Sequence, residues 1–468
     1  MSLAPSLLAA LAWAQAPGVE AVGDEAPPRP SFLLVLADDC TRDDLGTYGG
    51  PARTPHLDRL AAEGLTFTRC YQASPLCSPT RSSLYTGLYP VKSGAYTNPA
   101  QAYEWVRSIA HYLQAAGYLT HLSGKRHVLP ESVFPFEYSG RRQPDPAALD
   151  DVLARSRESG RPFLFIAASS RPHFPWDDGA GRYAPDEVVL SPVMVDTPET
   201  RAAYAGYLGE VSAFDDEVGV LLERLERAGR RDDTLVLVLS EQGSRFPFAK
   251  WTCYEAGLAS ACLVRWPGRV PAGTRSVALI EYVDVVPTLL EAAGLARPEV
   301  LDGQSFLPVL TGAATTHKTH VFALQTTRGI LDGPPHYGIR SVRDERYRYI
   351  LNLTPEVAFH SAASKDPMFV SWERRAAAGD EHARRLVAAY GTRPAEELYD
   401  CAQDPWNLVN LAGDESLAEV RAGLRARLDA WMTAQGDEGQ ATELAATERL
   451  PESARRRERK GLEEEEGD

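Results

Sequence analysis

Uninterrupted apolar runs are the feature of this sequence that most restricts its possible folds. They stand at Phe32–Leu36 (FLLVL), Pro162–Ala167 (PFLFIA) and Thr234–Leu239 (TLVLVL). A strand with one face in water alternates apolar and polar residues, whereas a strand covered on both faces is apolar throughout. The runs therefore predict the strands of a sheet that lies between two layers of helices.

Helical patterns separate these runs. The clearest begins near Tyr204 and ends at Gly229, and its apolar residues recur every three or four positions. Shorter helices are predicted at Thr54–Glu63 and Trp105–Ala116, and further strands at Tyr118–Leu122 and Ala261–Arg265. Strands that alternate with helices are typical of an α/β fold with a doubly wound, mostly parallel sheet and helices on both faces.

The pattern changes after about residue 320. The stretch YGIRSVRDERYRYILNL (337–353) alternates as exposed antiparallel strands do, and a helix is predicted at Leu417–Met432. These features predict a smaller C-terminal α+β domain at 319–435, after an N-terminal signal peptide and linker at 1–30 and a main domain at 31–318. The charged end of the chain, 436–468, is predicted to be a disordered tail.

Charge and the N-terminal residues restrict partners and location. The net charge of −15 makes nucleic acid an unexpected partner, and an anionic ligand would need a local basic pocket. The first residues are apolar and end in Ala12-Trp13-Ala14, which is typical of a cleaved export signal; a frayed N-terminal helix is the alternative. We therefore predict a periplasmic or secreted protein. No later segment reaches the ~20 apolar residues that a membrane span needs.

The six cysteines do not indicate a disulfide framework, because their spacing is irregular and contains no CxxC pair. A chain of this length builds its core without such cross-links. Five of the cysteines are expected to be small buried side chains, namely Cys40, Cys70, Cys253, Cys262 and Cys401. One disulfide among them is the alternative.

Polar, titratable residues follow four of the predicted strands. They are, in chain order, Asp38 and Asp39, Lys125 and His127, His173, and then Glu241, Gln242 and Lys250. Ligands of parallel sheets bind beyond the carboxyl ends of the strands, so these side chains are expected at one edge. Each group alone is explained by a turn, a helix cap or a solvated surface. A joint cluster of charges is costly unless something pairs with it.

The residue types of this cluster indicate a metal and an anion. Carboxylate oxygens and an amide oxygen, without a thiolate or imidazole grouped beside them, suit a hard cation, with Ca²⁺ the first choice and Mg²⁺ the second. The cations Arg81, Lys125 and Lys250 would then suit a substrate oxyanion bridged to the metal.

Cys77 stands at the predicted start of a helix, in the stretch CSPTR (77–81). Pro79 falls in the first helical turn, where a missing N–H costs nothing. The free N–H groups and the dipole of a helix N-terminus favour negative charge beside the cysteine. A thiol with a lowered pKa and an ordinary buried cysteine are the alternatives.

Together these residues resemble the sulfatase family, which has the alkaline-phosphatase-like fold. Cys77-Ser78-Pro79-Thr80-Arg81 is similar to the family's Cys-x-Pro-x-Arg signature, and Leu84 and Thr86-Gly87 fall at its further positions. The resemblance extends in order and approximate spacing to Asp38-Asp39, Gly124-Lys125-Arg126-His127, Pro172-His173, Glu241-Gln242-Gly243 and Lys250. It covers roughly residues 30–430, and EQGSRFPFAKWTCYEAG (241–257) is similar to the heparan N-sulfatase branch.

The resemblance implies a modified residue and a metal. A maturation enzyme would oxidise Cys77 to formylglycine, and the hydrate of this aldehyde would be the nucleophile. The ligands of a Ca²⁺ ion would be the altered residue 77 together with Asp38, Asp39, Glu241 and Gln242. The family usually has Asp followed by Asn or His where this chain has Glu241-Gln242, which makes both side chains one methylene longer.

The resemblance also implies catalytic roles. Arg81 and Lys125 would hold the hydrate, and His127 would be the base that releases sulfate from the enzyme. His173 would protonate the leaving group, assisted by Lys250, which also contacts the sulfate. Arg126 replaces a common aromatic residue and is expected to add positive charge to the pocket.

The expected function is therefore an exported sulfatase that hydrolyses sulfate esters or sulfamates, with a sulfated glycan as the favoured substrate. One alternative is a phosphodiester or phosphonate monoester hydrolase on the same scaffold. Another is a non-catalytic exported glycan-binding protein whose Cys77 is never converted. The sequence leaves the oligomeric state open.

Overall fold

Two sheets of different character organise the protein, which is described by a computed structural model over residues 29–326 and 328–456. The predicted signal peptide and most of its linker (1–28) lie outside the described residues, as do residues 457–468 of the predicted tail. No helix within the described ranges has the length and hydrophobicity that crossing a bilayer requires.

The first sheet has nine strands in the described part of the chain, in the order β4-β3-β5-β1-β6-β7-β2-β8, and β9 also pairs with β2. The strands are β1 (Ser31–Asp38), β2 (Leu65–Tyr71), β3 (Leu119–Gly124), β4 (Glu137–Ser139), β5 (Phe163–Ala168), β6 (Thr234–Glu241), β7 (Ala259–Arg265), β8 (Thr274–Ser276) and β9 (Ile280–Glu281). All their pairings are parallel except those of β7, which runs antiparallel to β6 and β2.

Helices cover both faces of this sheet. They are α1 (Pro55–Glu63), α2 (Cys77–Thr86), α3 (Pro90–Ser93), α4 (Ile109–Ala115), α5 (Pro146–Ser159), α6 (Pro198–Arg227), α7 (Glu255–Leu258), α8 (Val285–Ala292) and α9 (Leu307–Leu310). On β1, Leu33 belongs to a buried cluster with Leu208 of α6, and Leu34 to a second cluster with Leu84 of α2. This two-sided core confirms the predicted doubly wound α/β class.

Some boundaries differ from the predictions. The helix predicted from Trp105 begins at Ile109, because Ser108 and His111 form a reciprocal cap there and Trp105 is left half exposed. The predicted buried cysteines are confirmed, except that Cys401 is only partly buried; all six are free thiols.

The second sheet is antiparallel, in the order β10-β11-β12-β13. Its elements and the helices around it are β10 (Val321–Gln325), β11 (Ile339–Arg343), β12 (Tyr347–Asn352), α10 (Pro367–Ala377), α11 (Glu381–Gly391), β13 (Glu396–Asp400), α12 (Ala418–Gln435) and α13 (Gln440–Ala445). The predicted exposure of β11 and β12 is wrong. Ile339 and Ile350 pack into the core of the first sheet, and Val342 and Tyr349 pack with Trp431 of α12.

The predicted disordered tail is also wrong at its start. Residues 436–456 are ordered, and α13 packs beside the second sheet. Arg340 on β11 is fully buried and contacts Asp437, while its Nη1 lies 3.0 Å from Glu443 Oε1. A buried guanidinium needs counter-charges, and this segment supplies them.

Candidate active site

Two adjacent strands end in the same way at one edge of the first sheet. Asp38 is the last residue of β1, Glu241 is the last residue of β6, and the two are register partners. The residue after each has a positive φ, 61° at Asp39 and 27° at Gln242. Such conformations cost of order 1–3 kcal/mol in residues other than glycine and persist where the surroundings enforce them. These backbone conformations direct four polar side chains to one point at the edge of the sheet, namely those of Asp38, Asp39, Glu241 and Gln242.

Cys77 lies against this place, at the first residue of α2. The thiol is buried, and Gln242 Nε2 donates to Cys77 Sγ at 2.8 Å. Ligand atoms of Cys77, Asp38 and Asp39 all lie within 4.8 Å of one another. Burial raises the pKa of the Cys77 thiol to about 12, although Lys125 opposes the shift. The alternative of a thiol with a lowered pKa is therefore wrong.

The predicted cations alternate with the carboxylates. Lys125 contacts Asp38, and Arg81 contacts Glu241 and also approaches Asp38, with Nη2 to Oδ1 at 3.7 Å. Lys250 Nζ donates to Asp39 Oδ2 at 2.6 Å. The cluster thus holds the side chains of three acids and three bases, which balance when all are ionised. A divalent cation would add two positive charges and make the site attractive to an anion.

The pKa values of the carboxyl groups move in opposite directions. Burial acts to raise the pKa of Asp38, but Lys125 and Arg81 outweigh it and hold that pKa well below its usual range. Burial raises the pKa of Glu241 to about 7; Arg81 opposes this shift and the charge of Asp38 adds to it. Asp38 is therefore ionised at neutral pH, and Glu241 is only partly so.

The two predicted histidines have different surroundings. Burial, together with the charges of Lys125 and Arg81, lowers the pKa of His127 well below its ordinary value, which keeps the ring neutral at pH 7. His173 is about one-third exposed, at 35% of its side chain. Its Nδ1 lies 2.6 Å from the carbonyl oxygen of Phe174, so Nδ1 donates and Nε2 faces Asp39, 3.6 Å from Oδ2. A neutral imidazole suits a base, and an accessible one suits proton exchange with a ligand.

The donor set fits a hard divalent cation. Asp38 Oδ1, Glu241 Oε1 and Gln242 Oε1 are buried and accept no hydrogen bond from any described residue, while Glu241 Oε2 contacts Arg81. Buried acceptors without partners are costly, and a cation would satisfy them. The amide of Gln242 presents Nε2 to Asp39 and Cys77, and a half-turn of this amide would present Oε1 instead.

The structure brings all the sequence-predicted site residues together at one edge, but Arg126 does not join them. Its guanidinium lies 4.1 Å from the ring centroid of Tyr138 and 3.4 Å from Glu131, while Arg126 lines a neighbouring cavity with His127, so the expectation that it adds charge to the pocket stays a prediction. Sequence reasoning missed Gln72, whose Oε1 accepts from the backbone N–H of Gln242 at 2.7 Å. No pattern in the sequence marks Gln72.

Comparison with known proteins identifies the family. A family model described as Sulfatase matches residues 30–295. The chain belongs to the sulfatase family. A second model, described as N-sulphoglucosamine sulphohydrolase, C-terminal, matches residues 243–368 of this sulfatase and confirms the predicted resemblance to the heparan N-sulfatase-like branch.

Individual relatives cover most of the chain. An ulvan-active sulfatase of Formosa agariphila is 31% identical over 420 residues, which are 87% of this chain and 81% of the relative. The N-sulphoglucosamine sulphohydrolase of Homo sapiens is 30% identical over 459 residues, 87% of this chain and 90% of the relative. A solved phosphonate monoester hydrolase from Silicibacter pomeroyi has a TM-score of 0.67 at 20% identity, covering 88% of this sulfatase and 96% of that chain; this likeness concerns the fold alone.

Proposed function

We propose that this sulfatase hydrolyses sulfate esters or sulfamates of a sulfated glycan, with formylglycine at position 77 and Ca²⁺ at the edge of the first sheet. The observation that carries the proposal is the meeting of Cys77 with the balanced set of acids and bases in one buried cluster. A maturation enzyme is then a required partner, because the unmodified thiol has a raised pKa and is a weak nucleophile.

The relatives support the glycan. One is named for activity on ulvan and another for N-sulphoglucosamine, and the second family model carries the latter name. The charge of the protein agrees with this class of substrate. A chain with a net charge of −15 binds an anion only where cations are gathered, and Arg81, Lys125 and Lys250 are gathered beside Cys77.

The aldehyde explains why a cysteine codon is needed. An ordinary serine, once sulfated, could be released only by attack of water on a hindered, negatively charged sulfur. A hydrated aldehyde has two hydroxyl groups. One oxygen attacks sulfur as the bond from sulfur to the leaving group breaks. The other hydroxyl then loses its proton and re-forms the carbonyl, and the bond from carbon to the sulfate oxygen breaks.

Named residues supply the proton transfers. His173 Nε2 faces the site and would give its proton to the leaving oxygen or nitrogen, and such general acid catalysis is worth ~10²–10⁴-fold. The neutral ring of His127 would take the proton from the second hydroxyl. Lys125 and Lys250 would hold the sulfate oxygens, and losing one such contact typically costs ~3 kcal/mol of barrier. A bound Ca²⁺ would supply Lewis-acid polarisation of the same oxygens.

A phosphonate or phosphate ester hydrolase is the second candidate. A solved phosphonate monoester hydrolase shares the fold, and a cluster of cations around a divalent ion suits any tetrahedral oxyanion. The comparison of kcat/KM on matched aryl sulfate, aryl phosphate and aryl phosphonate esters separates the two. A preference for the sulfate ester supports our proposal, and a preference for a phosphorus ester would replace it.

The proposed nucleophile is tested at residue 77. We expect Cys77→Ala to lower kcat on aryl sulfate by ~10⁴-fold or more, as removal of a nucleophile does, without a change in melting temperature. Peptide mass spectrometry of the wild-type protein from a host with the maturation enzyme should find an aldehyde at this position. Full turnover by Cys77→Ala would refute both hydrolase candidates. An unconverted thiol in an inactive protein would support the non-catalytic glycan-binding alternative.

A further inference from the structure

The loop that carries His173 is held from outside by residues that the proposed mechanism does not use. Phe174 follows His173 and is 39% exposed, and the guanidinium of Arg245 lies 4.6 Å from the centroid of its ring. Arg245 is itself fixed by Asp366, with Nε to Oδ2 at 2.8 Å and Nη2 to Oδ1 at 2.9 Å. Two parallel hydrogen bonds of this kind fix the plane of a guanidinium as well as its position.

This set of contacts joins distant parts of the chain. Asp366 directly precedes α10, in the C-terminal part of the protein. Arg245 stands in the segment between Gln242 and Lys250, and its side chain is only 15% exposed. The order of contact is therefore α10, Asp366, Arg245, Phe174 and finally His173. The ring of Phe174 also contacts Trp176 within the same loop, with ring centroids 5.4 Å apart, so the guanidinium of Arg245 is a contact that ties this ring to a part of the chain outside the loop.

The position of Phe174 matters because its carbonyl orients His173. The bond from His173 Nδ1 to this carbonyl is the only hydrogen bond of the His173 ring to the described residues. Trp176 holds the following part of the loop, stacked on Phe246 with ring centroids 5.1 Å apart. Release of Phe174 would move the carbonyl, and Nε2 would no longer be directed into the site.

We propose that Arg245, fixed by Asp366, is a positioning residue for His173 that becomes important when the leaving group is a poor one. This inference rests on the proposed function. As the bond from sulfur to the leaving oxygen breaks, its electron pair goes to that oxygen, and the proton of Nε2 is transferred to it. Nδ1 keeps its proton on the carbonyl of Phe174. A sugar hydroxyl is a poor leaving group and needs this proton, whereas an acidic phenol leaves without it.

The test is a leaving-group series. The probes are 4-nitrophenyl sulfate, phenyl sulfate and intermediate substituted phenyl sulfates, with kcat and KM measured for the mature enzyme. We expect Arg245→Ala to lower kcat on phenyl sulfate about 10–100-fold, part of the full value of a general acid, and on 4-nitrophenyl sulfate less than about 3-fold, with KM unchanged. His173→Ala provides the upper limit of the effect. Arg245→Lys keeps a cation but loses the paired hydrogen bonds, so it should restore the series only in part.

Asp366→Asn keeps the shape of the side chain and weakens its hold on Arg245. It should steepen the leaving-group dependence in the same direction, and the double variant with Arg245→Ala should add little to the single one. Arg374→Ala is the matched control, because Arg374 stands on α10, the helix that Asp366 precedes, and also pairs with an acid, Glu199 at 2.7 Å, but is 66% exposed. It should leave the series unchanged.

The outcomes separate the inference from the function on which it rests. Wild-type enzyme that hydrolyses neither aryl sulfates nor sulfated glycans would overturn the proposed function and this inference with it. If only a sulfated glycan is hydrolysed, kcat of Arg245→Ala on that poor leaving group decides the inference, and an unchanged kcat refutes it. An active wild type in which Arg245→Ala slows all esters equally, or raises KM alone, would overturn only the positioning role. If Arg245→Ala does not fold, Arg245→Lys and Asp366→Asn decide the matter, and an unchanged leaving-group dependence in both refutes the proposal.

Discussion

Glu241 and Glu255 are both fully buried, yet their surroundings differ in kind. Glu255, on α7, accepts hydrogen bonds at Oε1 from Arg343 and Arg348 and at Oε2 from the hydroxyl of Tyr71. Burial acts to raise its pKa, but Arg343 and Arg348 outweigh it and hold that pKa well below its usual range. The carboxylate charge of Glu255 is thus balanced by two arginines, and both of its oxygens accept hydrogen bonds.

Glu241 is left incomplete by comparison. It contacts one arginine, Arg81, through Oε2, and its Oε1 accepts no hydrogen bond within the described ranges. Its pKa rises to about 7. Buried charge is therefore no sign of function by itself. The difference lies in the unpaired oxygens, which the Glu255 group lacks and the edge of the first sheet has.

The positions of the two glutamates agree with a structural role for Glu255 and a functional role for Glu241. Glu255 connects α7, beside the first sheet, with β11 and β12 of the second, so its group of charges holds two layers together. Glu241 ends a strand at the edge where Cys77 lies. The Glu255 cluster stabilises the fold, whereas the Glu241 cluster, in our proposal, leaves oxygens free to bind a metal ion at a cost in stability.

The largest effect is expected from Glu255→Gln. It leaves Arg343 and Arg348 buried without a counter-charge, and breaking a buried ion pair in this way costs ~3–5 kcal/mol of unfolding free energy. Urea denaturation measures this loss, and the molecules that remain folded should keep the wild-type kcat. A loss below ~1 kcal/mol would remove the distinction drawn between the clusters.

Glu241→Gln should show the opposite pattern. The pKa of about 7 means that the neutral form is already populated at neutral pH, so an amide is tolerated and the free energy of unfolding should not fall. The kcat on aryl sulfate should fall ~10²–10³-fold, the usual effect of losing one electrostatic contact at a reacting centre. Equal activity of variant and wild type would show that Glu241 has no part in the site.

Calcium should distinguish the clusters next. An ion that binds only the folded state at 100 times its Kd stabilises by ~2.7 kcal/mol. Wild type and Glu255→Gln should therefore melt at a higher temperature with Ca²⁺ than with a chelator, and Glu241→Gln should show a much smaller difference. A shift of equal size in all three proteins would mean that the ion binds elsewhere.

The most gradual effect is the dependence of stability on pH in metal-free protein. The folded-state pKa of Glu241 is raised from 4.5 to about 7, so its contribution favours folding at low pH and is lost as pH rises between these values. That of Glu255 is lowered, so its contribution is present above about pH 4.5 and declines as pH falls further. Unfolding free energies of each variant against wild type, measured from acidic to neutral pH, should diverge in opposite directions. Parallel curves would contradict the assigned directions.

The sequence predicts a strand where the apolar residues of that single segment are enough to show that it is buried. The apolar runs of β1, β5 and β6 identify these strands without any knowledge of their neighbours. The strand β2 escaped prediction because threonines and an arginine interrupt its apolar residues, in LTFTRCY. The antiparallel direction of β7 also escaped, because a run of apolar residues carries no information about the direction of the strand beside it.

The same limit applies to the site. The meeting of the residues that follow strands could be predicted because parallel strands bring their carboxyl ends to one edge, whereas Cys77 and Arg81 stand on α2 and were marked by their resemblance to the family signature. Pairings between distant segments could not be predicted from the sequence. Arg245 and Asp366 are 121 residues apart, and Glu255 lies 88 residues from Arg343, with no local pattern to mark either pair. The partners of Arg126, Tyr138 and Glu131, likewise depend on how the following loop folds back.

The ion pairs of Arg340 also set an order for assembly. Its counter-ions, Asp437 and Glu443, come 97 and 103 residues later in the chain. A nascent chain that has released Arg340 from the ribosome but not yet Glu443 holds a guanidinium that has no acid to accompany it into the interior. Closure of the second sheet therefore waits until α13 has been synthesised, because Glu443 on this helix supplies one of the two counter-charges.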